Sequence, residues 1–200
     1  MSKVLIYGTG GHAKVVHSIS PTQVVGFIDD NPKAFAINEK EVLPYDPNYK
    51  TDHKLCIAIG DNNTRKLVTE RISHAFTSLV AKSAIIDNSV TIGEGCQIIH
   101  GAIIQADTSI DRHVIVNTGS QIDHDCAIAA FVHIGPNATL CGNVRIGELT
   151  LIGAGAVVLP GITIGANCIV GAGSVVNQNV PDNSTVVGVP GKIISSNDKI

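Results

Sequence analysis

The sequence predicts a small α/β domain followed by a parallel β-helix. Two observations carry that reading. From Val80 to Val176 an aliphatic residue recurs at every sixth position, whereas the first 78 residues alternate short apolar runs with polar, glycine-bearing turns.

The ladder runs Val80, Ile86, Ile92, Ile98, Ile104, Ile110, Val116, Ile122, Ile128, Ile134, Leu140, Ile146, Ile152, Val158, Ile164, Val170 and Val176, with no slip. Chance would produce such a run at about one in 10^8, so it is an internal repeat. Two residues before the rungs lies a second column of small or modest side chains, such as Ala102, Cys126 and Ser174, and Gly135, Gly147 and Gly153 directly follow theirs. A period of six is neither that of a strand nor that of a helix, and it reads as short strands joined by turns. The pattern resembles the hexapeptide-repeat acyltransferases. That resemblance implies a left-handed, three-sided β-helix in which three hexapeptides make a coil and residues eighteen apart stack. Coils would be separated by the ~4.8 Å of neighbouring strands.

Composition agrees with a core of aliphatic layers. Apolar residues make up 44% of 200, aromatics 4%, and tryptophan is absent. A net charge of −3 gives no basic surface for nucleic acid or an acidic membrane. No run reaches the ~18 apolar residues of a spanning helix, and no leader precedes the first strand, so a cytoplasmic location is expected. None of the five cysteines forms a CxxC pair. Cys96, Cys126 and Cys168 occupy the small column and read as apolar filler, Cys141 falls on a turn, and no metal site is expected.

The first domain, residues 1–78, reads as Rossmann-like. A strand over residues 3–7 leads into Gly8, Gly10 and Ala13 at G-x-G-x-x-A spacing, a helix to about Ile19, and a strand over 24–28 ending at Asp29-Asp30. Such glycines let backbone approach a phosphate that the helix N-terminus attracts, although an unliganded tight turn would look the same. Residues 31–53 read as loop with one short strand near Val42. A strand over Leu55–Ile59, a helix over Thr64–His74 and a last strand over Phe76–Val80 follow. The domain is too short for a dinucleotide fold, which argues against an NAD enzyme. It has room for one mononucleotide at the carboxyl ends of its strands, beside Gly10 to His12, Asp29-Asp30 and Gly60 to Asn63. The second domain spans residues 79–194. Beyond its ladder, Val186 to Lys192 reads as an extended cap and Ser195–Ile200 as a frayed tail.

One coil departs from the bland pattern, at Asn117-Thr118-Gly119-Ser120-Gln121-Ile122-Asp123-His124-Asp125. Ile122 points inward, so His124 and Asp125 face out on the next turn. A histidine beside a carboxylate is a candidate general base. The eighteen-residue stacking puts Gly142 beneath His124 and Asn143 beneath Asp125, and the bare peptide N–H of Gly142 could meet an oxyanion. A solvated turn histidine is the competing reading.

Taken together, IYGTGGH, FIDD, IAIGDNN, NTGSQIDHD and VVGVPGK resemble, over nearly the whole chain, the sugar O- and N-acyltransferases of the UDP-4-amino-sugar N-acetyltransferase and sialic acid O-acetyltransferase type. The resemblance implies a homotrimer with active sites between subunits and acetyl-CoA as co-substrate. It assigns His124 as catalytic base and Asp125 as its acidic partner. It places His133, Gly142, Ala154 and Ala172 against acetyl-CoA. It places Gly10, Gly11 and His12 on the phosphate side of a nucleotide sugar, with Asp29, Asp30, Gly60 and Asn63 as further contacts. The expected reaction is N-acetylation of a nucleotide-linked 4-amino sugar. The alternatives are O-acetylation of a sialic acid or related nonulosonate, and a non-catalytic nucleotide-sugar or CoA-binding scaffold.

Overall fold

Five short strands build the N-terminal sheet of the computed structural model, which describes residues 3–32, 36–37 and 39–194. The elements are β1 (Val4–Tyr7), α1 (Gly11–Ile19), β2 (Val24–Ile28), β3 (Ala36–Ile37), β4 (Lys40–Leu43), β5 (Lys54–Ile57) and α2 (Asn62–Arg71). The sheet order is β3-β4-β2-β1-β5, parallel except for the edge strand β3. All four residues of β1 are buried, as a parallel strand covered on both faces requires. The chain reverses its direction of travel across the sheet between β1 and β5. The crevice therefore opens at their carboxyl ends, between the Gly8–Gly11 turn and Gly60.

Three expectations are corrected. The stretch 31–53 carries two strands, β3 and β4, because Lys40–Leu43 finds β2 as a partner. The second helix starts earlier than Thr64, since Asp61 caps it by accepting from the Thr64 N–H at 2.8 Å, and it ends at Arg71 where Ile72 turns extended. Phe76–Val80 is not a strand of this domain. Phe76 makes one isolated bridge to Leu55, and Leu79–Val80 pairs instead with Gln97–Ile98.

From Leu79 onward each hexapeptide contributes a two-residue strand that ends on a ladder residue, and each pairs in parallel with the strand eighteen residues away. Three sheets result. The first face contains the strands at Leu79, Gln97, Ile115, His133, Leu151 and Ile169. The second contains those at Ile85, Ile103, Gln121, Thr139, Val157 and Val175. The third contains those at Thr91, Ser109, Ala127, Arg145 and Thr163. Rungs from Ile98 to Val176 are buried with the small column between them. Each such aliphatic side chain contributes about 1.5–3 kcal/mol. The column's hydroxyls are satisfied, Ser120 on the Asn117 carbonyl at 2.7 Å and Thr150 on that of Gly165 at 2.8 Å. Cys96, Cys126 and Cys168 are buried there as expected. The first three rungs are the exception, with Ile86 and Ile92 only partly buried. Val80 is 43% exposed because an end coil has a stacked neighbour on one side only, and Leu79 and Ala81 bury themselves against the N-terminal domain instead. At the far end Thr185–Val187 joins the first face and Lys192–Ile194 returns antiparallel to it. The expected tail 195–200 lies outside the described residues.

Each corner turns on a residue with positive φ, and these also recur every six positions, from Gly95 through Asp107, Asp125 and Asn143 to Gly173. Most are Gly, Asn or Asp, which tolerate that conformation. Three bulky ones, His113 (φ 55°), Phe131 (φ 60°) and Leu149 (φ 63°), stack in one corner column. They are held by α2. Buried Arg65 donates to the His113 carbonyl at 2.9 Å and to that of Phe131 at 2.7 Å, and Asn62 donates to that of Leu149 at 2.9 Å. The remaining guanidinium N–H groups reach the carbonyls of Ile59 and Gly60 and the side chain of Asn62. No carboxylate is bonded to this buried cation among the described residues, and burial lowers its pKa to about 10, which leaves it charged at neutral pH. Phe76 stands edge-on to His113, which stacks on Phe131.

Candidate active site

The corner between the second and third faces carries an exposed ion pair. Gln121–Ile122 closes one rung, and the chain turns out through His124 and Asp125 before Ala127–Ile128 opens the next. Asp125 sits at φ 60°, a conformation suited to Asp, in a column with Asp107 and Asn143. Its Oδ2 accepts from His124 Nδ1 at 2.7 Å. The carboxylate thereby fixes the proton on Nδ1 and leaves Nε2 with its lone pair. A Cβ at Gly142 would fall 2.6 Å from Nε2, so the imidazole lies against this glycine and only a residue without a side chain leaves it there. The His124 pKa is raised, first by the Asp125 hydrogen bond and then by the charge of Asp123. Asp107, Asn143 and Arg145 join the pair in lining an open groove of about 620 Å³. It runs into a second of about 710 Å³ along the third face, past Ser109, Ala127 and Thr163.

A base must be neutral to act, so activity that depends on His124 rises with pH through its pKa. Replacing Asp125 by Asn removes the group that raises that pKa. The acid limb of kcat/KM is therefore expected to move to lower pH, with a plateau about 10-fold or more below wild type. A pH–rate profile measures both, and an unmoved acid limb would show that Asp125 does not tune the group that titrates.

The crevice of the N-terminal domain is a separate place. Gly8 takes φ +112° where its backbone passes the Ala58 carbonyl, and Gly10 and Gly11 open α1 with no side chain capping it. Asp29 accepts from Thr9 and from the Asn31 N–H. Asp30 is already engaged by the Tyr7 hydroxyl, Arg71 and the Tyr45 N–H. Across the crevice stands the first face of the β-helix, whose outward column is aliphatic at Leu79, Ile115, Leu151 and Ile169 but polar at Gln97 and His133. His133 Nδ1 donates to the Gly60 carbonyl at 3.1 Å, and its Nε2 accepts from Asn117 at 3.0 Å. Desolvation lowers its pKa to about 4. The rings of His12 and His133 lie 6.2 Å apart. Gly60, Asn63, His133 and Asn167 line a groove of about 360 Å³ between the two domains.

Comparison with known proteins identifies this arrangement. Residues 3–72 match the PglD N-terminal domain, and residues 125–159 and 143–178 match the bacterial transferase hexapeptide (six repeats). PerB from Caulobacter crescentus, solved with CoA and GDP-perosamine, is 37% identical over 98% of both chains, with a TM-score of 0.91. The acetyltransferase domain of PglB from Neisseria gonorrhoeae is 32% identical over 97% of this chain and all of that one, with a TM-score of 0.89. The chain belongs to the PglD-type hexapeptide acetyltransferases. The coil is accordingly the left-handed β-helix of that family. UDP-N-acetylbacillosamine N-acetyltransferase from Bacillus subtilis is 42% identical over 109 residues, a match that spans 48% of this chain and half the length of that relative.

Within this PglD-type chain the residues singled out from sequence fall in three places. His124, Asp125 and Gly142 share the corner between the second and third faces. Ala154 and Ala172 stack, exposed, on the corner between the first and second. His133 joins Gly10, Gly11, His12, Asp29, Asp30, Gly60 and Asn63 on the first-face side, opposite the His124 corner of the triangle. His133 thus lies apart from Gly142, Ala154 and Ala172 within one chain, because its rung belongs to the face that the N-terminal domain covers. Asn62, from the Gly60–Asn63 turn, carries contacts between the domains together with Arg65 and Gln97, two residues that the sequence pattern alone does not mark as site residues. The signal for Gln97 was a polar residue interrupting an aliphatic outward column, and for Arg65 a charge on the helix position that faces inward.

Proposed function

We propose that this chain is an acetyl-CoA-dependent N-acetyltransferase acting on the 4-amino group of a nucleotide-linked sugar. The observation that carries the reading is the His124–Asp125 pair with its unoccupied Nε2 against Gly142. His124 Nε2 takes a proton from the amine as that nitrogen bonds to the thioester carbonyl carbon. The Gly142 N–H steadies the oxyanion, the C–S bond breaks, and the CoA thiolate leaves and is reprotonated. No covalent enzyme intermediate is formed.

The groove along the third face suits a pantetheine arm. The open N-terminus of α1 suits the diphosphate, since its N–H groups and dipole favour an anion. Because base and nucleotide crevice lie on opposite sides of one prism, the complete site takes its base from one subunit and its nucleotide pocket from the next, in a homotrimer. Glycan precursors are the substrate class, as the relatives' UDP- and GDP-linked sugars suggest.

The test is thiol release from acetyl-CoA against UDP-, dTDP- and GDP-linked 4-amino sugars and a free nonulosonate. Release with an amino sugar and a product heavier by one acetyl group supports the reading. Release with the nonulosonate alone makes the chain an O-acetyltransferase, and release with none makes it a binding scaffold.

A further inference from the structure

A buried amide and a half-buried imidazole decide which way the crevice presents its hydrogen bonds. Gln97 is fully buried on the outward column of the first face. Its Nε2 donates to the Ile57 carbonyl at 2.7 Å, at the end of β5. A carbonyl can only accept, so the amide orientation is settled and Oε1 must face the other way. There it meets His12 Nε2 at 2.7 Å. An amide oxygen also only accepts, so His12 carries its proton on Nε2 and its Nδ1 is a bare acceptor. No described residue hydrogen-bonds that Nδ1. The opposite tautomer holds at His133, which spends its Nδ1 proton on Gly60 and its lone pair on Asn117.

We propose that Gln97 is a positioning residue that locks His12 as the Nε2–H tautomer, so that His12 offers the bound sugar nucleotide an acceptor and not a donor. This deepens the reading of the crevice above and rests on it. The consequence for specificity is chemical. A neutral imidazole lone pair repels a phosphate oxygen and accepts from a hydroxyl or amino group. His12 therefore reads a donor group of the sugar nucleotide, while the diphosphate is left to the backbone N–H groups of Gly10 and Gly11. Nearby Arg65 supports the arrangement. Desolvation lowers the His12 pKa most and that buried positive charge adds to it, while the Gln97 bond opposes them, so the balance favours the neutral ring.

The experiment is long-range 1H–15N NMR on the histidine-labelled full chain at pH 8, with His12 signals assigned by their loss in His12→Gln. Wild type is expected to show Nε2 protonated and Nδ1 bare, and an Nδ1–H tautomer would overturn the proposal. Gln97→Met removes the acceptor and is expected to leave His12 in mixed tautomers. It should also raise KM for the amino-sugar nucleotide about 10-fold with kcat within about 3-fold, the effect of one weakened hydrogen bond to a buried group. Gln97→Glu restores an acceptor and is expected to restore the single tautomer. A single Nε2–H tautomer in Gln97→Met, or an altered tautomer with unchanged KM, would overturn the role. Should Gln97→Met fail to fold, the wild-type and Gln97→Glu spectra still decide it. Absence of turnover in wild type would sink the proposed activity but leave the tautomer assignment standing.

Discussion

Alanine at position 124 is expected to lower kcat/KM by about 10^2–10^4, the usual worth of a positioned general base. The folded state should be untouched. The imidazole is 58% exposed, touches Asp125 and Gly142 at a corner, and supports no rung of the core. Steady-state thiol release together with a thermal melt checks both halves, and wild-type turnover in the variant would remove His124 from the role. The same variant tests the shared site. Mixed with subunits that carry an intact His124 but a bulky residue at Gly10, it should regain activity. Each dead subunit then lends the half that its neighbour lacks. Absence of recovery in mixed oligomers would place base and nucleotide pocket within a single chain.

Replacing Arg65 with methionine is expected to give the largest loss of stability among the contacts between the domains. The guanidinium satisfies the carbonyls of Ile59, His113 and Phe131 and shares that of Gly60 with His133. Methionine fills much of the volume but leaves buried acceptors without donors, each costing about 1–3 kcal/mol. Two of them belong to bulky residues in the left-handed region, a conformation that persists only when its surroundings hold it. A loss of about 3 kcal/mol lowers Tm by roughly 6–12 °C for a chain of this size. A Tm within about 1 °C of wild type would show that the Arg65 hydrogen bonds add nothing to the join between the two domains.

The β-helix was legible because its cause is local and repeated. Seventeen aliphatic rungs at one spacing admit no other period, and the rungs meet partners eighteen residues on, as the spacing implies. A second period, the residue of positive φ three places after each rung from Ile92 to Val170, is regular too, but His113, Phe131 and Leu149 hide it. They violate the preference for Gly, Asn and Asp because α2 holds them. The strand expected over Phe76–Val80 fails to form in the first domain for a related reason. An apolar run announces burial without naming the sheet it joins, and Leu79 finds Gln97 rather than β5.

The sequence by itself determined the coil, its register, the inward and outward columns, and the outward-facing His124-Asp125 step, since each follows from a period of six acting on neighbouring residues. Only the tertiary structure decided which face the N-terminal domain covers, and with it that His133 serves Gly60 and that Arg65 is buried. It also decided that the His124 corner stands across the prism from the crevice. Those outcomes rest on contacts between residues as much as 88 positions apart, such as Asn62 with Thr150. Their donors and acceptors pair by geometry, which no spacing along the chain records.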